Sequence, residues 1–401
     1  MTVPTSARSV SAYAELMPSV RQISVAATLP SPADPTTKAE VIDNGRFLRI
    51  CHQNNASTLA LPAVVYDAFP LATPSPGSLD LNWRLPLAPG ESEVPQLALE
   101  SYALPWSSSD IKVASPIQCR ACDEAIVPAG RIQVWKDLPS ENWAEMMEFW
   151  HCHKPHDHEH NDDESLTKRG YGASTSIACP PSTGFVDLSS MVFSESDCRN
   201  ILYSATTFDA GVDSSALALD SAPSSKLLRV FCQGCRADVG LYRVAASSVS
   251  LYKWQIRCDT ISSGALPTST ECLSGSLITS ISRSGSAKSI VMPHVPTAQA
   301  GQGSSEQVLH LWVLNSSLKY SSSSVPGKQA AIKVFYKDVD VESAYKLMES
   351  MNSDIQEINF PSAAIASVRE QLHSSTLLLP RQMRSFQGWN VGLLARWDSE
   401  S

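Results

Sequence analysis

Two C-x2-C pairs, Cys119/Cys122 and Cys232/Cys235, restrict what this chain can fold into more than any other feature. Cys122 and Cys232 lie 110 positions apart, well beyond the spacing of a compact zinc finger. Each pair is followed by strand-like sequence, so two hairpins can bring four thiolates to one tetrahedral Zn²⁺. In small zinc peptides such a site supplies roughly 10–16 kcal/mol of apparent binding energy, comparable to a whole domain's net stability. Structural zinc on Cys119, Cys122, Cys232 and Cys235 is therefore the expectation. Two alternatives stay open: two unrelated buried Cys pairs, or a redox role for one pair. Neither pair opens a helix in a thioredoxin-like βαβ context.

The ten cysteines are expected in a reducing compartment, where metal binding is favoured over disulfides. Met1–Val25 lacks the apolar core of a secretory signal. No apolar run is long enough to span a membrane, so no membrane partner is expected. A net charge of −9 without a basic run argues against direct nucleic-acid binding. Cys51, Cys179, Cys198, Cys258 and Cys272 stand alone and read as small apolar or loop residues. No Ser-His-Asp order, nucleotide-binding Gly loop or H-E-x-x-H motif is present.

The strand rhythm predicts a mainly β (α+β) protein with a sandwich- or barrel-like β fold. Val20–Val25, Phe47–His52 and Leu79–Leu85 alternate with period two, between Pro- and Ser-rich turns. Gly184–Leu188, Leu227–Phe231, Val249–Ile256, Val308–Leu314 and Ala331–Tyr336 continue the pattern. A C-terminal lobe from about residue 331 holds helices at Val341–Met351 and Ser362–His373, then a closing strand at Gln387–Leu394. Residues 154–175, 210–225 and 262–305 read as disordered insertions, because their composition cannot bury enough apolar area. The whole reads as one main domain or two packed lobes.

One amphipathic helix is expected in this β context, from Pro139 to Pro155. Ser140 can cap it, and Trp143, Met146, Met147 and Trp150 share a face. Its C-terminal end delivers His151, Cys152 and His153. The helix dipole disfavours a thiolate there, whereas a bound metal ion would deprotonate Cys152 outright. The His156/His158/His160 tract that follows is acidic and reads as a solvated loop.

The knuckle at Cys119–Cys122, the block Leu138-Pro139-Ser140…Trp143…Met147…Trp150-His151-Cys152-His153, the run Val230–Cys235 and the closing Trp389-Asn390-Val391-Gly392 follow in order. Together they resemble the HECT-like E2-binding protein family of eukaryotes, over most of the chain. The resemblance implies one such domain over residues 1–401, a ubiquitin-conjugating enzyme (E2) as partner and E3 ubiquitin ligase-like character. It also implies a place in cytoplasm and nucleus. The yeast member is linked to pre-mRNA 3′-end processing. That link implies a second partner, the metallo-β-lactamase-type endonuclease of the cleavage and polyadenylation machinery, which the chain would stabilise or hold inactive. True HECT ligases carry their catalytic Cys near the C-terminus, whereas the last Cys here is Cys272.

Cys152 is thus the candidate for any ubiquitin thioester. Trp143, Met147, Trp150, His151, Cys152 and His153 form the expected partner-binding set. Three readings of Cys152 stay open: a thioester nucleophile, a ligand to the nuclease's zinc in trans, or a structural residue of a non-catalytic, zinc-stabilised scaffold.

Overall fold

The computed structural model describes residues 10–90, 104–138, 179–204, 227–261, 265–294, 307–350 and 354–397. The helix expected at 139–155, with Trp143, Met147, Trp150, His151, Cys152 and His153, lies outside the described residues. So do the insertions expected at 154–175 and 210–225. The chain divides into two compact units, Met1–Ala103 with Leu273–Ser401, and Leu104–Cys272.

The first unit opens with β1 (Ser11–Met17), β2 (Gln22–Thr28), β3 (Lys38–Ile42), β4 (Phe47–His52), β5 (Asn55–Ala60) and β6 (Asp80–Pro86). β6 shows why these segments become strands. Leu81, Trp83 and Leu85 are buried and alternate with polar residues, as a half-buried sheet requires. β1, β2 and β6 pair antiparallel, while β3, β4 and β5 form a separate meander. Gln53 and Asn54 take φ of 46° and 64° and close the β4–β5 hairpin, the geometry that a two-residue hairpin turn demands.

The second unit carries β7 (Ile117–Cys119), β8 (Ala125–Val127), β9 (Val134–Asp137), β10 (Thr183–Val186), β11 (Ser190–Ser194), β12 (Ile201–Ser204), β13 (Leu227–Cys232), β14 (Asp238–Arg243), β15 (Ser248–Tyr252) and β16 (Ile256–Arg257). Seven of these run in the order β12-β13-β14-β15-β11-β10-β9, and β16-β7-β8 make a small sheet. The expected strand over Val249–Ile256 is broken in two. A short 3-10 turn at Lys253–Gln255 separates β15 from β16. It buries Lys253, whose ammonium donates to the carbonyls of Pro105 and Trp106. Burial pulls this lysine's pKa down to about 8.

The chain then returns to the first unit through α1 (Ser269–Ser284), β17 (Lys288–Pro293), β18 (Gln307–Ser322), β19 (Val325–Asp340), α2 (Val341–Glu349), β20 (Gln356–Phe360), α3 (Ser362–Thr376), β21 (Ser385–Phe386) and β22 (Trp389–Ala395). The nine-stranded sheet runs β21-β22-β19-β18-β1-β2-β6, with β17 on β18 and β20 parallel to β17. α3 covers one face. Leu372 packs so close to Gly392 that an added Cβ would meet it at 2.8 Å, and Tyr336 bonds Thr376 at 3.0 Å.

Two expectations are corrected here. The stretch 262–305 is not a disordered insertion as a whole, because it holds α1 and β17. Cys272, Leu273, Leu277, Ile290 and Val291 are all buried there. Its serines are the small residues of a packed helix, and Ser274 Oγ donates to the Ala395 carbonyl at 2.8 Å. Nor do residues from 331 onward form a lobe of their own. β19 and β22 belong to the sheet that contains β1 and β2, so the two ends of the chain share one core. The mainly β class stands, with three α-helices among the described residues.

Candidate metal centre

The two C-x2-C pairs sit on matching hairpins. Cys119 ends β7 and Cys232 ends β13. The Cys119 amide donates to the Glu124 carbonyl at 2.8 Å, and the Cys232 amide to that of Ala237 at 2.9 Å. The Cys119 carbonyl accepts from the Asp123 amide, and the Cys232 carbonyl from the Arg236 amide, both at 2.9 Å. Asp123 and Arg236, each just past the second cysteine, take φ of 59° and 63°. This left-handed residue turns the chain back so that both sulfurs of a knuckle face the same way.

All four Sγ atoms lie within 4.8 Å of one another, and no other such group of metal-ligating side chains occurs among the described residues. Cys119–Cys235 and Cys122–Cys232 are each 3.6 Å apart. A tetrahedral ion with metal–sulfur bonds of about 2.3 Å sets its ligands roughly 3.8 Å apart, so the residues present fit a thiolate-bound ion. The four sulfurs are free thiols in one group, not two separate pairs.

The backbone amides aim at the sulfurs. Burial pushes the Cys119 thiol up to about 12, opposed by the amides of Ala121 and Cys122. The Glu124 amide pulls Cys122 down, but burial and the facing thiols of Cys235 and Cys232 leave it raised. The Ala237 amide lowers Cys235. Amides directed at sulfur stabilise thiolate, the form a metal ligand must take.

Sequence reasoning missed the residue that ties the knuckles together. Asn200, at φ 56°, donates its side-chain amide to Glu124 Oε1 at 2.7 Å and to the Ala125 carbonyl at 2.9 Å. Its own carbonyl accepts from the Gln233 amide at 2.8 Å. One residue thus clasps the first knuckle through its side chain and the second through its backbone. An Asn directly before β12 was the available signal, since Asn tolerates the left-handed region.

Four further cysteines among the described residues are of another kind. Burial pushes the thiols of Cys179, Cys258 and Cys272 up to about 12 and raises Cys198 as well. These side chains behave as small apolar residues.

Comparison with known proteins adds the class. The family described as HECT-like ubiquitin-conjugating enzyme (E2)-binding matches residues 15–391. The chain belongs to that family. An uncharacterized protein of Saccharomyces cerevisiae is 23% identical over 319 residues, which is 78% of this chain and 79% of that protein. An uncharacterized protein of Schizosaccharomyces pombe is 38% identical over 58 residues, 14% of this chain and 17% of that protein. No solved structure matches.

Proposed function

We propose that this chain binds a ubiquitin-conjugating enzyme, and that a structural zinc ion on Cys119, Cys122, Cys232 and Cys235 holds its second unit in form. The family match over residues 15–391 carries the first part. The convergence of four sulfurs carries the second. Four protein thiolates fill a tetrahedral zinc shell and leave no open position for water or substrate, so the ion's contribution is to folding rather than catalysis. Purified protein is tested against a panel of purified E2s by biolayer interferometry, before and after zinc removal. Binding of at least one E2 is expected, and its loss with the zinc. Absence of binding across the panel defeats the reading.

E3 ligase-like activity and the endonuclease partner extend this reading on the strength of the sequence resemblance. Cys272, the last cysteine of the chain, is buried with a raised thiol. That disfavours it as a thioester nucleophile and leaves Cys152 in that role. Discharge of ubiquitin from a charged E2, with and without Cys152→Ala, separates a thioester-forming ligase from a binding module. In the nuclease reading, the Trp143/Met147/Trp150 face docks and Cys152 ligates the nuclease zinc, with His151 or His153 orienting it. Cys152→Ala then weakens nuclease binding without lowering the melting temperature. Fractionation should find the protein in cytoplasm and nucleus.

A further inference from the structure

The nine-stranded sheet of the first unit has one face that its helices do not finish covering. Directly paired residues share a face, so the pairs Lys288/Trp312, Ile290/His310, His310/Lys337 and Trp312/Phe335 place these side chains together. At one end α2 closes the surface, with Leu347 and Met348 on Met292, Val308 and Val339. At the other end Leu379 and Met383 close it over Tyr320 and Val391. Between them Trp312, Phe335 and Trp389 are only half-buried, and Phe386 is 55% exposed. The rings form one cluster: Trp312 meets Phe335 at 5.6 Å and Trp389 at 6.2 Å, and Phe386 stacks on Phe335 at 5.7 Å.

Two polar features make this patch unlike an ordinary sheet surface. Lys337 Nζ sits 4.4 Å from the Trp389 ring centroid and has no ion pair among the described residues. Its counterpart Lys288, 5.4 Å from Trp312, is already neutralised by Asp354 at 3.1 Å. His310 is 4% exposed and lies 4.8 Å from Trp389, yet neither ring nitrogen has a hydrogen-bond partner among the described residues. Burial, with Lys337 and Lys288 adding repulsion, pulls its pKa down to about 4. The imidazole is therefore neutral and wants one donor and one acceptor.

We infer that this Trp312/Phe335/Trp389/Phe386 face is the surface on which the E2 docks, through a segment that sets a carboxylate on Lys337 and apolar side chains on the rings. The inference rests on the E2 reading above. Charge complementarity selects the occupant. The ring cluster has the aromatic enrichment of an interface core, and Lys337, which has no ion pair among the described residues, calls for a carboxylate from the partner; the family match names an E2 as that partner. A single-stranded nucleic acid fits less well. It needs a track of cations for its phosphates and open ring faces for its bases, and here the Lys337 ammonium already covers Trp389.

The test measures affinity of the full chain for the E2 panel, with wild type, Lys337→Glu, Lys337→Met, Lys337→Arg and Phe386→Ala. Both positions of change reach the surface, and melting curves check each fold. Lys337→Glu should weaken the E2 complex about tenfold or more, with Lys337→Met and Phe386→Ala weaker in effect and Lys337→Arg close to wild type. E2 binding undiminished in folded Lys337→Glu and Phe386→Ala overturns this inference alone. Wild-type protein that binds no E2 overturns the E2 reading and this inference with it. A fluorescent oligo(U) probe that binds wild type and loses affinity in both variants, while the E2 does not, reassigns the face to nucleic acid and also overturns it.

Discussion

Asn200 and Glu124 are joined by a 2.7 Å hydrogen bond that spans from the residue just before β12, beside one C-x2-C knuckle, to the turn of the other. Glu124 also carries the amide directed at Cys122. Asn200 therefore acts on the four-cysteine cluster through Glu124, as partners outside a ligand shell commonly do. Asn200→Ala should lower zinc affinity about 10- to 100-fold. Asn200→Gly, which keeps the left-handed backbone without strain, separates the lost hydrogen bonds from the lost conformation. Competition with a chromogenic chelator reads both variants. Zinc retention equal to wild type in Asn200→Gly would show that the side chain does not support the site.

Elemental analysis of the purified chain should find about one zinc per molecule, the number one tetrahedral four-thiolate site holds. The double substitution Cys232→Ser, Cys235→Ser should abolish it. Zinc affinity should fall with falling pH, because binding displaces protons from thiols, and the Cys119 thiol is held up at about 12 without metal. Zinc content that survives the double substitution rules the site out.

Leu277 is 1% exposed in α1. Leu277→Ala should cost about 2–5 kcal/mol by transfer and cavity terms, measured as a shift in the urea midpoint. A change below about 0.5 kcal/mol, the range of surface substitutions, would mean that α1 is not packed.

His310 supplies a pH dependence. Its folded pKa is lowered to about 4 from 6.5, so between those values the unfolded chain binds a proton that the folded chain does not. Stability is then complete above about pH 6.5 and is lost as pH falls toward 4, by a few kcal/mol from this group. His310→Leu should flatten that part of the stability profile. Urea titrations at pH 7 and pH 4.5 check it: an equal drop in wild type and variant removes His310 as the cause.

The same residues show what was legible in the chain. Period-two runs such as Leu81/Trp83/Leu85 announce their strands, because alternation is a local property of a half-buried sheet. The C-x2-C pairs announce a ligand set, since each knuckle needs only a few consecutive residues and one left-handed position. α1 was hidden by its serines, although Thr268 and Glu271 cap its start reciprocally at 2.8 and 3.2 Å, the S/T-x-x-E signature of a helix N-terminus. Val308–Leu314 and Ala331–Tyr336 read as buried strands; the first opens the 16-residue β18 and the second is the middle of the 16-residue β19.

By itself, then, the sequence determined the mainly β class, the two C-x2-C pairs that could hold a metal ion, and the family. Only the tertiary structure decided that the knuckles meet, because strand pairing and the Asn200 clasp join segments more than 70 positions apart. It also decided that α3 covers the Tyr336 face of the long hairpin and leaves the Phe335 face to its aromatics. Alternation tells which residues share a face; which face is covered depends on helices that arrive from elsewhere in the chain.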